Sequence, residues 1–146
     1  MTKKIILLTC CSLFLTSVRS QEPADTVIKV IPEPVSIQKQ TGVFEIPGTV
    51  TIDCPQTPEV SPVEQLLYRR LETAAGIHIN SGKSNAAQIT LLLNKYKDTL
   101  LGEEGYRLTI SSTAIHIAAN RPAGLYYGVQ TLLQLLPPAI ESKDKS

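Results

Sequence analysis

Tryptophan is missing from this chain, and phenylalanine occurs only twice. That leaves little capacity for a stacked sugar or base platform, because the large ring faces that make one are scarce. Histidine is equally sparse. His78 and His116 each sit between two isoleucines, in Ile77-His78-Ile79 and Ile115-His116-Ile117. Two imidazoles on the polar faces of strands bind a metal only with a further ligand nearby, and the sequence offers none. No metal site and no cofactor site is expected. Cysteine is limited to Cys10, Cys11 and Cys54, with no Cys-x-x-Cys spacing. A Gly-rich phosphate loop, a Gly-x-Ser-x-Gly elbow and a His-Glu-x-x-His pair are all absent. No charge excess marks a nucleic-acid partner, with 14 basic against 13 acidic side chains. No apolar run is long enough to span a bilayer.

What is present begins with a targeting segment. Lys3 and Lys4 precede the short apolar run from Ile5 to Leu15, and Val18-Arg19-Ser20 offers small residues, Val18 and Ser20, at the two positions a signal peptidase reads. This is the pattern of a signal peptide over residues 1–20, with Gln21 as the new N-terminus. The protein is therefore expected to be exported, to the periplasm or beyond. Without residues 1–20, 126 of the 146 residues remain, carrying 11 basic and 13 acidic groups, a net charge of −2. No membrane span is expected in that mature chain. Cys10 and Cys11 leave with the leader, so Cys54 has no internal disulfide partner.

Residues 21–30 read as a flexible polar leader, 31–138 as one domain, and 139–146 as a charged linker or tail. Within the domain, Ile31-Pro32-Glu33-Pro34 is stiff and extended. Val43–Ile46 and Thr49–Asp53 read as short strands joined across Pro47-Gly48. Ser61, Pro62 and Glu64 spell a capping box, with Ser61 as the N-cap and Pro62 at the first helical position. Val63, Leu66, Leu67, Leu71 and Ala74 then recur at helical spacing, and Gly76 stops the helix. Ile77–Ile79 and Gln88–Asn94 are further strands. Gly105–Ser111 and Ala114–Ala118 alternate as an antiparallel hairpin. A second helix starts near Pro122, with Leu125, Val129, Leu132, Leu133 and Leu136 as its apolar stripe, and Pro137-Pro138 ends it. No helix separates the late strands. The expected fold is therefore α+β: a two-layer sandwich with a mainly antiparallel sheet and two helices on one face.

Catalytic residues are not found. Glu103-Glu104 is the only close carboxylate pair, and adjacent residues of an extended chain diverge. Glycoside hydrolysis commonly needs two carboxyl groups facing one bond, so the pair reads as a solvated turn. Tyr68, Tyr126 and Tyr127 read as helix-face packing. Gly124 and Gly128 lie inside a helix, where each costs about 1 kcal/mol relative to alanine. That cost implies close approach of a neighbour. The neighbour is either this domain's own sheet or another domain, so Gly124, Tyr127 and Gly128 are candidates for an inter-domain contact.

Four stretches together resemble the N-terminal domain of family 20 glycoside hydrolases, the bacterial-type β-N-acetylhexosaminidases. Ile31-Pro32-Glu33-Pro34 is similar to the family's opening Pro-x-Pro, and Gly42-x-Phe44 to its first strand. Glu104-Gly105-Tyr106-x-Leu108 is similar to a Glu-x-Tyr-x-Leu strand entry. Gly124-x-x-Tyr127-Gly128-x-Gln130-Thr131-Leu132-x-Gln134-Leu135 is similar to the closing helix. The resemblance implies a non-catalytic α+β module packed against a following TIM barrel. It implies that an Asp-Glu pair in that barrel works through the substrate's own acetamido group, the substrate-assisted variant of retaining hydrolysis. The barrel motifs are absent here, so no catalytic residue carries over. The implied partner is that barrel, and glycan is met only through it. A stand-alone secreted module that binds glycan or protein is the alternative expectation.

Overall fold

The structure is a computed structural model that describes residues 28–74, 76–84 and 88–136. The leader 1–20 and the Pro137-Pro138 stop lie outside the described residues. The described chain runs β1 (Thr49–Asp53), α1 (Ser61–Arg69) continued by a wider π-helical turn (Arg70–Ala74), β2 (His78–Ser81), β3 (Ile89–Leu93), β4 (Tyr106–Ile110), β5 (Ile115–Ala119) and α2 (Pro122–Leu135). The strands form one five-stranded sheet in the order β2-β1-β3-β5-β4.

The α+β class and the two helices are as expected, but the sheet is not mainly antiparallel. β1 pairs in parallel with β2 and β3, β3 pairs in parallel with β5, and only β4 with β5 is antiparallel. The physical reason lies in where the return path runs. A parallel neighbour needs a crossover, which is usually a helix. Here β4 itself carries the chain back, displaced to the sheet edge, and β5 enters between β3 and β4. The hairpin is nevertheless as expected. Ser111 closes its turn by donating its N–H to the Ala114 carbonyl at 2.9 Å, and its hydroxyl oxygen accepts the Ala114 N–H at 3.0 Å.

Two further expectations are corrected. Val43–Ile46 forms no strand. Phe44 and Ile46 pack partly buried against the core without a ladder partner. Ser61 is the first helical residue, not the cap. Val60 holds the N-cap position with φ −92° and ψ −25°, and no side chain caps it. The chain enters α1 through a tight turn in which the Thr57 carbonyl accepts the N–H groups of Val60 and Ser61. Ser61 instead accepts a surface hydrogen bond from Gln65, and Glu64 accepts the Ser81 hydroxyl. Pro62 does sit in the first turn, where its missing N–H is no loss. Gly76 does stop the helix, at φ +65°. That left-handed conformation suits glycine, and its N–H reaches the Glu72 carbonyl at 3.0 Å.

The sheet register places Val50 and Ile52 of β1, Ile79 of β2, Ile89 and Leu91 of β3, and Ile115, Ile117 and Ala119 of β5 in one core. Val63, Leu67 and Leu71 from α1 and its extension join them, as do Leu125, Val129 and Leu132 from α2. The alternate strand residues, including Thr49, Asn80, His116, Arg107 and Thr109, point to the opposite side, because side chains alternate along a strand.

α2 sits unusually close to the sheet. A Cβ on Gly124 would stand 2.4 Å from the Gly105 carbonyl oxygen and 2.8 Å from the Ala119 Cβ, and one on Gly128 would stand 2.4 Å from Ile117 Cγ2. No real Cβ tolerates such distances to backbone or to a buried β-branched side chain. The close approach offsets the helix-propensity cost of the two glycines. Gly124→Ala is therefore expected to destabilise by roughly 1–3 kcal/mol through overpacking. At an unconstrained helical site the same change stabilises by about 0.4–1 kcal/mol. A urea melt reads the sign directly, and an unchanged or raised midpoint contradicts the close seating.

Candidate functional site

Among the described residues, the candidates for chemistry named from the sequence are spread over separate places. The first is the Asn94–Gly105 loop between β3 and β4. Asn120, just after β5, organises it with four hydrogen bonds. Its Oδ1 accepts from Asn94 Nδ2 (3.0 Å) and the Asp98 N–H (2.9 Å), and its Nδ2 donates to the carbonyls of Asp98 (2.7 Å) and Gly102 (2.6 Å). Nothing in the sequence singled out Asn120. Its only signal was an amide side chain just before the Arg121-Pro122 helix start.

Glu103 lies on this loop, exposed, and accepts hydrogen bonds from Lys97 and Arg121. The Lys97 ammonium first, and then the Arg121 guanidinium, hold its carboxyl below the usual carboxylate range. A glycosidase general acid needs the opposite, a raised pKa from an apolar surround. Glu104 is exposed on the same turn. The pair is thus a solvated, ion-paired turn.

The second place is the open sheet face. His116 is registered beside Thr90 and Thr109, and His78 beside Thr49. β1 and β3 lie between the two histidine-bearing strands. At the usual strand spacing they stand about 14 Å apart across the sheet. Among the described residues, no three His, Cys, Asp or Glu side chains come together in a way that would hold a metal.

The third place is the end of β1. Cys54 is buried, with 6% of its surface exposed, and its sulfur accepts from Gln56 Nε2 at 3.3 Å. Burial first, and then the hydrogen bond to Glu64, push its thiol up to about 12. Reactive cysteines need the reverse, a stabilised thiolate. Beside it, Pro55, Gln56, Thr57, Pro58, Ser61 and Glu64 line an open cleft of about 290 Å³.

The tyrosines divide in the same way between packing and surface. Tyr68 donates its hydroxyl to the Ile79 carbonyl at 2.9 Å, and Tyr106 shares a hydrogen bond with Thr131 of α2. Both tie helix to sheet, as expected for Tyr68. Tyr126 and Tyr127 instead meet edge to face, with centroids 5.8 Å apart, and 43% of each is exposed. Of the three residues considered for inter-domain contact, Gly124 and Gly128 face this domain's own sheet, and Tyr127 stands outward.

Among the described residues, these features define a class: an α+β domain whose candidate chemical groups lie in separate places. The comparisons with known proteins agree in kind. The family description "Glycosyl hydrolase family 20, domain 2" matches residues 27–144. A β-hexosaminidase of Porphyromonas gingivalis is 31% identical over 123 residues, which is 83% of this chain and 16% of that protein. The Streptomyces plicatus N-acetyl-β-hexosaminidase, solved in complex with Thio-NAglucal, is similar with a TM-score of 0.69 and 35% identity, over 77% of this chain and 22% of that one. The family 20 β-N-acetylhexosaminidase of Streptomyces coelicolor gives 0.67 and 33%, over the same shares. The chain belongs to glycosyl hydrolase family 20, as its domain 2. It spans less than a quarter of the length of these relatives.

The state of Cys54 is directly measurable. A pKa raised from 9 to about 12 lowers the thiolate fraction at pH 8 by about a thousandfold, tenfold per unit. In protein lacking residues 1–20, Ellman's reagent is expected to react slowly in native buffer and rapidly in urea. A raised folded pKa contributes stability fully below pH 9, and that contribution is lost as pH rises toward 12. Equal native and unfolded reaction rates would show that the thiol is neither buried nor held neutral.

Proposed function

We propose that this chain is the leading accessory domain of an exported β-N-acetylhexosaminidase and performs no chemistry itself. The observation that carries the reading is the family match over residues 27–144, in a domain whose only adjacent carboxylates sit on an exposed turn, Glu103 held in ion pairs. Hydrolysis of a terminal β-linked N-acetylhexosamine requires an acid within hydrogen-bond reach of the glycosidic oxygen. It also requires a group that orients the acetamide behind the anomeric carbon. In this reading both belong to a catalytic TIM barrel in the same polypeptide, and this domain stabilises that barrel.

Two measurements test the reading. The purified chain is expected to release no chromophore from a p-nitrophenyl N-acetyl-β-glucosaminide above the rate without protein. Turnover that disappears in Glu104→Gln would place catalysis in this domain and overturn the assignment. Export is tested by intact mass of the protein recovered from the cell envelope or medium. The expected mass is that of a chain starting at Gln21, as the Lys3-Lys4 start and the Val18-Arg19-Ser20 exit imply. Retention of Met1 contradicts export through this leader.

A further inference from the structure

β4 (Tyr106–Ile110) is the outer strand on one side of the sheet. Its pairing with β5 decides which of its backbone groups are used. The Ser111 N–H donates to the Ala114 carbonyl at 2.9 Å, which makes Ser111 and Ala114 a hydrogen-bonded pair. In an antiparallel ladder such pairs alternate with pairs that exchange no hydrogen bond. By the register, Thr109–His116 and Arg107–Ala118 are therefore the bonded pairs. Tyr106, Leu108 and Ile110 turn their N–H and C=O groups to the outer edge. Among the described residues, no backbone hydrogen bond meets them there.

The opposite edge is treated differently. β2 is four residues long, and Tyr68 donates its hydroxyl to the Ile79 carbonyl. Sheets commonly blunt an edge by such a cover, by a short strand, or by proline, a bulge or lysine. β4 has no proline or lysine, and its register with β5 runs unbroken through all five residues. Tyr106, Leu108 and Ile110 share the helix side of the sheet with Ala119, Ile117 and Ile115, the residues registered opposite them. Those three β5 residues are buried. Tyr106 and Leu108 are only half-buried, and Ile110 is 38% exposed. The apolar layer thus runs out to the edge and ends there in solvent.

We propose that β4 pairs antiparallel with β4 of a second copy of this chain, about a two-fold axis at Leu108, so that the two five-stranded sheets become one. Self-complementarity selects this occupant. In this register all five residues of β4 are matched. Leu108 faces Leu108, and Tyr106 faces Ile110, so the apolar row continues across the seam. The same pairs bring the outward backbone groups together, and each exchanges two hydrogen bonds. On the open side, Arg107 is the only charged residue of β4. It faces Thr109 of the other copy, and its own Asp98 stays within reach at 3.2 Å. Centring the axis on Arg107 instead would set two guanidinium groups opposite each other, which is unfavourable. α2, which lies against β4 and β5, has no charged residue in Pro122–Leu135. The helices beside the seam therefore add no like-charge repulsion. A contact that uses one patch twice closes on itself, and so gives a dimer and not a fibre. The inference does not depend on the catalytic role assigned to the parent polypeptide.

The test uses the full-length polypeptide that carries this chain, without residues 1–20. Sedimentation velocity follows its mass across a roughly hundredfold range of concentration, because association obeys mass action. A monomer–dimer equilibrium is expected. Thr109 is exposed on the open side, so substitutions there leave the core intact. Thr109→Arg sets two Arg–Arg pairs across the seam and is expected to raise the dimer dissociation constant roughly tenfold. Thr109→Glu gives each Arg107 a carboxylate partner and is expected to lower the constant. The same two changes at Thr49, exposed on β1 and away from the seam, are expected to leave it unchanged. The amides of Tyr106, Leu108 and Ile110 are expected to exchange more slowly with deuterium in the dimer than in the monomer. A polypeptide that stays monomeric throughout overturns the edge pairing. So does a dimer whose dissociation constant is indifferent to the charge at position 109.

Discussion

The close seating of α2 on β4 and β5 is the constraint from which most of this structure follows. With no Cβ at Gly124 and Gly128, the helix lies against the Gly105 carbonyl and the Ile117 side chain. That depth brings Leu125, Val129 and Leu132 into the same core as the inward residues of β1, β3 and β5. It also lets Tyr106 reach Thr131. Gly105 is needed for a related reason. A Cβ there would lie 2.2 Å from the Leu101 carbonyl oxygen, the atom that accepts the Gly105 N–H at 2.8 Å. The tight turn into β4 and the close helix thus meet at Gly105, and Asn120 fixes the Asn94–Gly105 loop that leads into that strand.

The sequence showed local structure well and long-range pairing poorly. Periodicity located β1, β3, the β4–β5 hairpin and both helices, because each is specified by residues within one short window. Sheet direction is not specified in that way. It depends on β5 entering between β3 and β4, and no local pattern records that order. Ser61 shows the same limit on a smaller scale. The Ser-Pro-Val-Glu spelling is a valid capping box, yet the Thr57–Val60 turn supplies the N–H partners first. A backbone turn upstream competes with a side-chain cap for the same groups.

The candidate site was legible chiefly through what it lacked. The scarcity of histidine and cysteine, together with the adjacency of Glu103 and Glu104, argued against a reaction centre; in the structure Lys97 and Arg121 hold the Glu103 carboxyl below the usual carboxylate range, and burial pushes the Cys54 thiol up. The glycine pair was legible as a sign of close approach but not of its direction. Glycine in a helix reports that something is near, and either a sheet or a second domain satisfies that condition. For Gly124 and Gly128 the close neighbours are Gly105, Ala119 and Ile117 of this domain.

The outward side of α2 has a property the inward face cannot explain. Packing on the sheet accounts for Gly124, Leu125, Gly128, Val129 and Leu132. It gives no reason for Ala123, Tyr126, Tyr127, Gln130 and Gln134 to be uncharged. Lysine or glutamate at those positions has equal or better helix propensity than tyrosine and removes exposed aromatic surface. Solubility and helix stability alone would both favour them. An outward stripe that forgoes both gains is set by neither helix propensity nor hydration. The Gln134 amide is engaged with the Ile31 backbone N–H and carbonyl, and so ties the segment before β1 to the end of the helix.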